Sequence, residues 1–556
     1  MGVEKLEALL GDPRDADNPV GHAAVLAADE RQEMLAEGER LLDQYGMNAE
    51  FVPAAYGGRL TRADRLAEVQ RAVWRRDPSL GVGHGTGSLL GSVDIWAAGT
   101  RQQCREAADI LLGNGRIALA FHEFGHGNDS ADAGCTARRA DDGWLLSGRE
   151  ETVTDIRRCE AMVVCARTGD AAGSHSQFFL RRRYVPPGGL QDLRRLRSSG
   201  LRGVQLGGIR LSDCPAPDRD VLGRPGQGKE IALRSFQLTR AVLPALLPGP
   251  LDTALRLALD CVLERRLYGG VAADLPYVRA TAGRALAGLL AIDALSAVGL
   301  RGLHLVPGAM SVYAPATTYL TSRILLETIE DLRFLLGAQS YLREGRYAMF
   351  QKLARDAAAA TFAHISRSAC LVTIWPQLPR FARRSWPDGD AAPPELFDLG
   401  GPLPPLDLTR FTLGPPPGDP VMGTLSELAA TEPAGTQVGR FARRFQAELT
   451  SLTGQCAALA PSDPAIGASP AAYALAGRYT VLLAAACSLA VWRYDAGRYP
   501  EAALPGVLDQ LDRRLGGPAV LTEAERESSD RALFDLALDR HRESRLFDLT
   551  ERQIAG

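Results

Sequence analysis

The chain has 556 residues, of which 46% are hydrophobic and 23% charged. That is the balance of a folded chain rather than a disordered one, and its length predicts three or four units in place of one core. Lys and Arg number 63 against 66 Asp and Glu, and the net charge of -3 argues against a chain-wide binder of nucleic acid or of an anionic membrane. No uninterrupted apolar stretch reaches the roughly 20 residues a bilayer needs; the best, Val481 to Trp492, is short, and no membrane insertion is expected. The opening MGVEKLEALLGDPRDAD carries charges where a signal peptide needs an apolar run. Nine cysteines are scattered without a CxxC pair, which predicts reduced thiols in a cytoplasmic protein, with no disulfide framework and no metal centre.

Residues 1–116 read as helical. Met34, Leu35, Leu41 and Leu42 fall at helical spacing across Asp29–Tyr45, Arg62–Arg76 continues the pattern, and Asp77-Pro78 stops it. Tyr56-Gly57-Gly58 predicts a turn between helices. Over 117–225 the runs IALAF, GWLLSG, AMVVCAR and QFFLR, punctuated by Gly, Asp and Ser, predict strands of an antiparallel sheet or barrel. Over 226–392 the helical signal returns. Leu255, Leu259, Val262 and Leu263 share one face, and further helices are predicted at Tyr277–Val298, Ala314–Leu336 and Phe350–Thr373, which together suggest a bundle. The Pro/Gly-rich stretch 393–423 predicts an extended linker, and 424–556 a further helical region.

Several of these stretches, in this order, resemble the acyl-CoA dehydrogenase flavoprotein superfamily: FVPAAYGG, RRDPSL and the GT at 99–100; IALAFHEFGHGND; GWLLSGREETVTD; SFQLTRAVLPALLPG and LERRLYGG; LLGAQSYL and FQKLARDA. The resemblance covers roughly residues 25–375 and leaves the last stretch to a helical extension of the kind some long-chain members carry. It implies a mainly α fold with a helical domain, a central β-barrel and a four-helix bundle. It also implies FAD in a crevice between barrel and bundle, an acyl-CoA, acyl-carrier-protein or free acyl acid substrate, and a homodimer or homotetramer whose partner completes the cofactor site.

The resemblance assigns the cofactor-binding residues. His122, Gly127 and Asn128 lie in the Gly-rich loop that would hold the flavin ring and pyrophosphate by free N–H groups. Read without it, HEFGHGND is a turn-rich loop, and His122 with His126 makes no metal site on its own. Thr154 matches the threonine that hydrogen-bonds flavin N5, Thr152 replaces the flanking aromatic residue, and Asp155 replaces an Asn; the plain reading of Thr154 is a strand threonine facing solvent. Arg265 and Tyr268 fall on the Arg and aromatic residue that reach the partner's FAD, or else on an ordinary helix end. Gly337-Ala338 resembles a Gly-Gly of close backbone approach, and Ser366 a threonine beyond the catalytic base. The basic run at Arg181–Arg183 with Arg194, Arg195 and Arg197 is either a carrier-binding patch or a solvated face.

The departures concern the base. Dehydrogenation next to a carbonyl needs a group over the substrate to take the α proton. The family's Glu after Arg355-Asp356 falls at His364, and the alternative Glu position falls at Thr239, beside Arg240; neither is acidic. Three accounts follow: His364 is the base, with an unperturbed pKa near ~6.5 that suits the role; the substrate is a β-keto acid whose decarboxylation needs no base, as in a flavin-dependent decarboxylase or monooxygenase; or the alignment is offset or the chain is a non-catalytic acyl-binding scaffold. The expected function is an FAD-dependent oxidoreductase of bacterial specialised metabolism that makes a double bond next to a carbonyl.

Overall fold

The computed structural model describes residues 2–121, 134–169, 174–362, 365–386, 389–414, 418–459 and 469–555. They form two compact units, Met1–Thr239 with Leu406–Thr409 and Arg240–Pro405 with Arg410–Gly556. The division falls inside one helix, Gly228–Leu246.

The first unit begins with helices Val3–Leu10, His22–Arg31, Ala36–Tyr45 and Ala63–Arg76. The single helix expected across Asp29–Tyr45 is two, because Gln32 turns left-handed at φ 57° and ends the first. At Asp77 the next helix stops as the sequence predicts, and the same residue starts another: its side chain accepts a hydrogen bond from Ser79 N, with Pro78 at the first helical position. That run, Pro78–Gly81, passes through a π turn at Val82–Thr86 into Gly87–Ala98. Thr100 and Gln103 form a reciprocal cap that opens Arg101–Leu112.

The sheet contains β1 (Ile117–Ala120), β2 (Thr136–Ala140), β3 (Gly143–Thr154), β4 (Ala161–Arg167), β5 (His175–Arg181), β6 (Leu190–Asp192), β7 (Leu206–Pro217) and β8 (Val221–Leu222). Its order is β6-β7-β3-β2-β4-β5-β8, with β1 beside β4 in parallel. The expected closed barrel is therefore an open sheet. Its end strands, β6 and β8, are three and two residues long, and among the described residues no pairing joins them. One face buries Trp144, Leu146, Met162, Val164, Phe178 and Ile209 in a common core. Each such side chain contributes about 1.5–3 kcal/mol through removal from water.

The second unit is helical. Helices Pro248–Glu264, Pro276–Leu305 and Met310–Leu336 are long, apolar and packed together, and a two-stranded ribbon, β9 (Arg266–Leu267) and β10 (Gly270–Val271), follows the first of them. The helix expected over Phe350–Thr373 is broken. Ala348–Ala357 ends in a 3-10 turn, Ala358–Thr361, and Ser366 caps a new helix, Arg367–Ile374, by accepting from Ala369 N at 3.3 Å. Three helical runs, Gly228–Glu264, Pro276–Leu305 and Pro470–Tyr494, are long and apolar enough to cross a bilayer, contrary to the expectation from apolar stretches. Their most apolar windows are 94%, 94% and 83% buried within the fold.

The Pro/Gly-rich stretch 393–423, expected as an extended linker, is anchored along its described part. The buried Arg301 donates to Glu395 O and Gly401 O, and His304 Nδ1 lies 2.7 Å from Pro404 O. Leu396 and Phe397 are buried, and Phe397 stacks on Tyr494. Beyond it come Pro420–Thr431, Gln437–Ala457, Pro470–Tyr494, Leu504–Leu515 and Glu523–Arg542. One carboxylate draws these pieces together. Asp419 accepts from Tyr313 Oη at 2.7 Å, Trp386 Nε1 at 3.0 Å and Tyr479 Oη at 2.9 Å, and it caps Pro420–Thr431. Burial, more than any neighbour, raises its pKa, and the three donors work against that shift.

Candidate active site

His122, Gly127, Asn128 and His364 lie outside the described residues. Of the other expected residues, Thr152, Thr154 and Thr239 belong to the first unit, and Arg240, Arg265, Tyr268, Gly337, Ala338 and Ser366 to the second.

β3 ends at Thr154. The register of β3 against β7 shifts between Glu150 and Val153, a bulge that re-aims the strand end. The next residue, Asp155, is left-handed at φ 54°, a conformation Asn and Asp tolerate, and its N–H donates to Gln205 O at 2.8 Å. Thr152 and Thr154 are both half-buried. The Thr154 hydroxyl makes no hydrogen bond to any described residue, so a donor is left at the strand end. Burial pushes the Asp155 carboxyl up to about 7. Arg158 and Arg116 oppose that shift, Glu39 adds to it, and Glu39 itself bridges Arg116 and Arg158 at 2.7 and 2.6 Å.

In the second unit, Arg265 follows helix Pro248–Glu264 and donates to Leu335 O, Leu336 O and Cys261 Sγ. It thus closes the last carbonyls of Met310–Leu336, where a cation suits the helix dipole. Gly337 stands at that helix end with φ 58°, and a Cβ there would meet only Arg265 Nη1 at 3.6 Å, so the backbone angle rather than space calls for glycine. Arg265 and Gly337 are therefore brought together, but by a helix end. Ala338 is exposed. Tyr268 and Gly269 carry φ 51° and 86° at the tip of the ribbon, a two-residue hairpin that leaves Tyr268 93% exposed.

Thr239 is fully buried and donates to Phe236 O at 3.4 Å, an alcohol bonded back into its own helix. Arg240 is buried and donates to Thr373 Oγ1 at 3.4 Å; burial lowers its pKa while the Cys370 thiol raises it. Ser366 serves as the helix cap described above. Half of the basic run is committed: Arg181 is buried against Asp220 and Glu106, Arg182 pairs with Asp192, and Arg195 donates to Arg202 O and Val204 O. All nine cysteines are buried thiols. Sequence reasoning singled out neither Asp94, a wholly buried carboxyl raised by burial to about 6, nor the glycine-alternating GVGHGTG that packs beside Thr154; the alternation was the available signal.

A helical region, an open sheet and a long-helix bundle, in that order, make a fold of the acyl-CoA dehydrogenase type. The model of the acyl-CoA dehydrogenase C-terminal domain matches residues 226–364. The chain is 25% identical over 264 residues to mitochondrial isovaleryl-CoA dehydrogenase of Oryza sativa subsp. japonica, covering 46% of this chain and 63% of that protein. It is 28% identical over 231 residues to human mitochondrial short-chain specific acyl-CoA dehydrogenase, covering 40% and 54%. These matches span less than two thirds of either relative. The structure of an acyl-CoA dehydrogenase complexed with FAD from Bacillus anthracis superposes with a TM-score of 0.63 at 14% identity, covering 97% of this chain and 94% of that one. The chain is thus similar to acyl-CoA dehydrogenases in sequence over part of its length and in fold over most of it.

Proposed function

We propose that this chain is an FAD-dependent oxidoreductase that introduces a double bond next to the carbonyl of an acyl thioester or related acyl acid. The observation that carries the reading is the Thr154 hydroxyl, unengaged among the described residues, at the bulged end of β3 in a chain of this fold. Each unit offers a donor of the kind such a cofactor needs. Thr154 offers a hydroxyl hydrogen, and Arg265 keeps part of its N–H fork beyond its three bonds for an anionic oxygen. Bound FAD would supply the two-electron acceptor. Thr154 would hold the ring edge through its hydroxyl, and Arg265 and Tyr268 would reach the cofactor of a second copy in a homodimer. His364 would take the proton from the carbon next to the carbonyl and become imidazolium. The acyl group would arrive on coenzyme A, on a carrier protein or as the free acid; the absence of an acid at both usual base positions favours a specialised pathway, and the Ala/Arg/Gly-rich composition favours a bacterial source.

One observation favours a second reading. Thr239 is a buried alcohol and residue 364 a histidine, so neither expected base position carries a carboxylate. A β-keto acid would lose carbon dioxide to give an enolate with no base, and oxidation would follow. The test is anaerobic mixing of the FAD-loaded chain with acyl-CoA, acyl-carrier and β-keto acid substrates, followed by the yellow oxidised-flavin absorbance and the masses of the products. Bleaching with an unsaturated acyl product supports the first reading, and release of carbon dioxide supports the second. A chain that takes up no FAD refutes both. His364→Ala should slow bleaching with acyl-CoA by about 100-fold or more if His364 is the base.

A further inference from the structure

Helix Pro78–Ala98 is interrupted by the π turn Val82–Thr86, and the sequence writes that interruption in detail. A π turn adds a residue, and since each residue advances an α-helix by about 100°, everything after the turn is rotated by about that much from an unbroken helix. Side chains hold the widened turn. Thr86 Oγ1 donates to Gly81 O at 3.0 Å, Trp74 Nε1 donates to Thr86 Oγ1 at 3.4 Å, and His84 Nε2 lies 2.8 Å from Asp43 Oδ1. Gly81, Gly83 and Gly85 lie against Trp74, Met34 and Phe51, where a Cβ would stand 2.4, 2.7 and 2.9 Å from them. The rotation delivers Gly87 onto the end of β3: a Cβ there would stand 3.2 Å from Thr154 Cγ2 and 3.7 Å from Asp155 Oδ2.

We infer that Gly87, presented by the π turn, is a positioning residue that sets the side-chain orientation of Thr154 by clamping its methyl group, and thereby aims the Thr154 hydroxyl. This rests on the reading of Thr154 as the donor to the flavin ring. The geometry of the clamp rests on the fold alone. A methyl group fixed against a helix backbone leaves the hydroxyl one staggered direction, and a hydroxyl aimed before the cofactor arrives loses no rotational freedom on binding.

The test is a cycle of Gly87→Ala, Thr154→Ser and the double variant in the full chain. Alanine is a better helix former than glycine, so a loss in Gly87→Ala does not come from the helix itself. Serine keeps the hydroxyl and removes the methyl that the new Cβ would press. Gly87→Ala should bind FAD at the native stoichiometry, shift the visible spectrum of the bound flavin and slow its reduction by about tenfold or more. Thr154→Ser in the Gly87→Ala background should give the spectrum of Thr154→Ser alone, because no methyl is left for the new Cβ to press. Native spectrum and rate in Gly87→Ala, or a double variant whose spectrum differs from that of Thr154→Ser alone, overturn the inference. Thermal unfolding of the FAD-free chains separates the two claims. A midpoint lowered by Gly87→Ala and recovered by Thr154→Ser supports the clamp even if the chain takes up no FAD, while additive shifts overturn it. Should Gly87→Ala fail to fold, Thr154→Ser alone carries the test: a shifted flavin spectrum supports the clamp and a native one overturns it.

Discussion

The ribbon at 266–271 and the segment at 543–555 both attach to the long helices of the second unit, and they finish their surroundings in opposite ways. Around the ribbon, Tyr268, Tyr277, Phe334 and Tyr341 stay largely exposed, with Tyr277 and Phe334 in edge contact. In the other segment Phe547 and Leu549 are buried, and their backbone N–H groups donate to Asp252 and Asp293 at 2.7 and 2.8 Å. Arg256 covers the Phe547 ring and also donates to Arg545 O. The same bundle thus closes one region with buried carboxylates and leaves aromatic surface at the other. Apolar surface finished inside the chain is a matter of stability, and apolar surface left open is available to a partner.

Phe547→Ala breaks the comparison most severely. It empties a wholly buried ring site and should cost about 3–5 kcal/mol in urea unfolding; a loss near zero would mean that the segment is not seated in solution. Asp293→Ala leaves the Leu549 N–H without its acceptor and should cost about 1–3 kcal/mol by the same measurement. The turn at Thr154 provides a contrast that depends on protons. Burial raises Asp155 to about 7 and Asp94 to about 6, both from 3.8, so the folded state holds protons that the unfolded chain has already released. The contribution of these two carboxyls should therefore be lost as pH rises from 3.8 towards about 7, against the opposite contribution of His22, lowered by burial to about 4. Relative to Asp155→Asn, the unsubstituted chain should lose stability as pH rises from 3.8 to about 7 and level off above, as read from thermal midpoints of the two across pH. The smallest effect is expected for Tyr268→Ala, within about 0.5 kcal/mol for the isolated chain. A cost comparable to that of Phe547→Ala would show that the ribbon tip is covered, and loss of self-association in sedimentation would identify a second copy as the cover.

The long periodic helices and the apolar strands β1, β3, β4 and β5 were legible because their burial is written as spacing. β7 was not: Gly207, Gly208 and Pro215 read as breakers, and Pro215 is accommodated because β6 pairs with β7 only at Ile209, Arg210 and Leu211. The break near Ala358 was hidden by an alanine run that favours helix, and Ser366 shows its capping role only once Ala369 N is seen to point at it. The open sheet was missed because closure depends on which end strands meet, and β6 and β8 carry almost no pattern of their own. In the site, resemblance reached Thr154 and Arg265, but not the bonds from Arg265 to Leu335 and Leu336, which lie 70 and 71 residues further on.

The contact from Phe547 to Asp252 spans 295 residues. As the chain emerges from the ribosome, the helix bearing Asp252 is made long before its last partner exists. The bundle must wait half-closed, with its carboxylate in water, while nearly three hundred further residues are synthesised. A closure so distant in sequence makes folding slow and leaves the intermediate sticky. Expression of this chain should therefore depend on chaperones more strongly than its final stability would suggest.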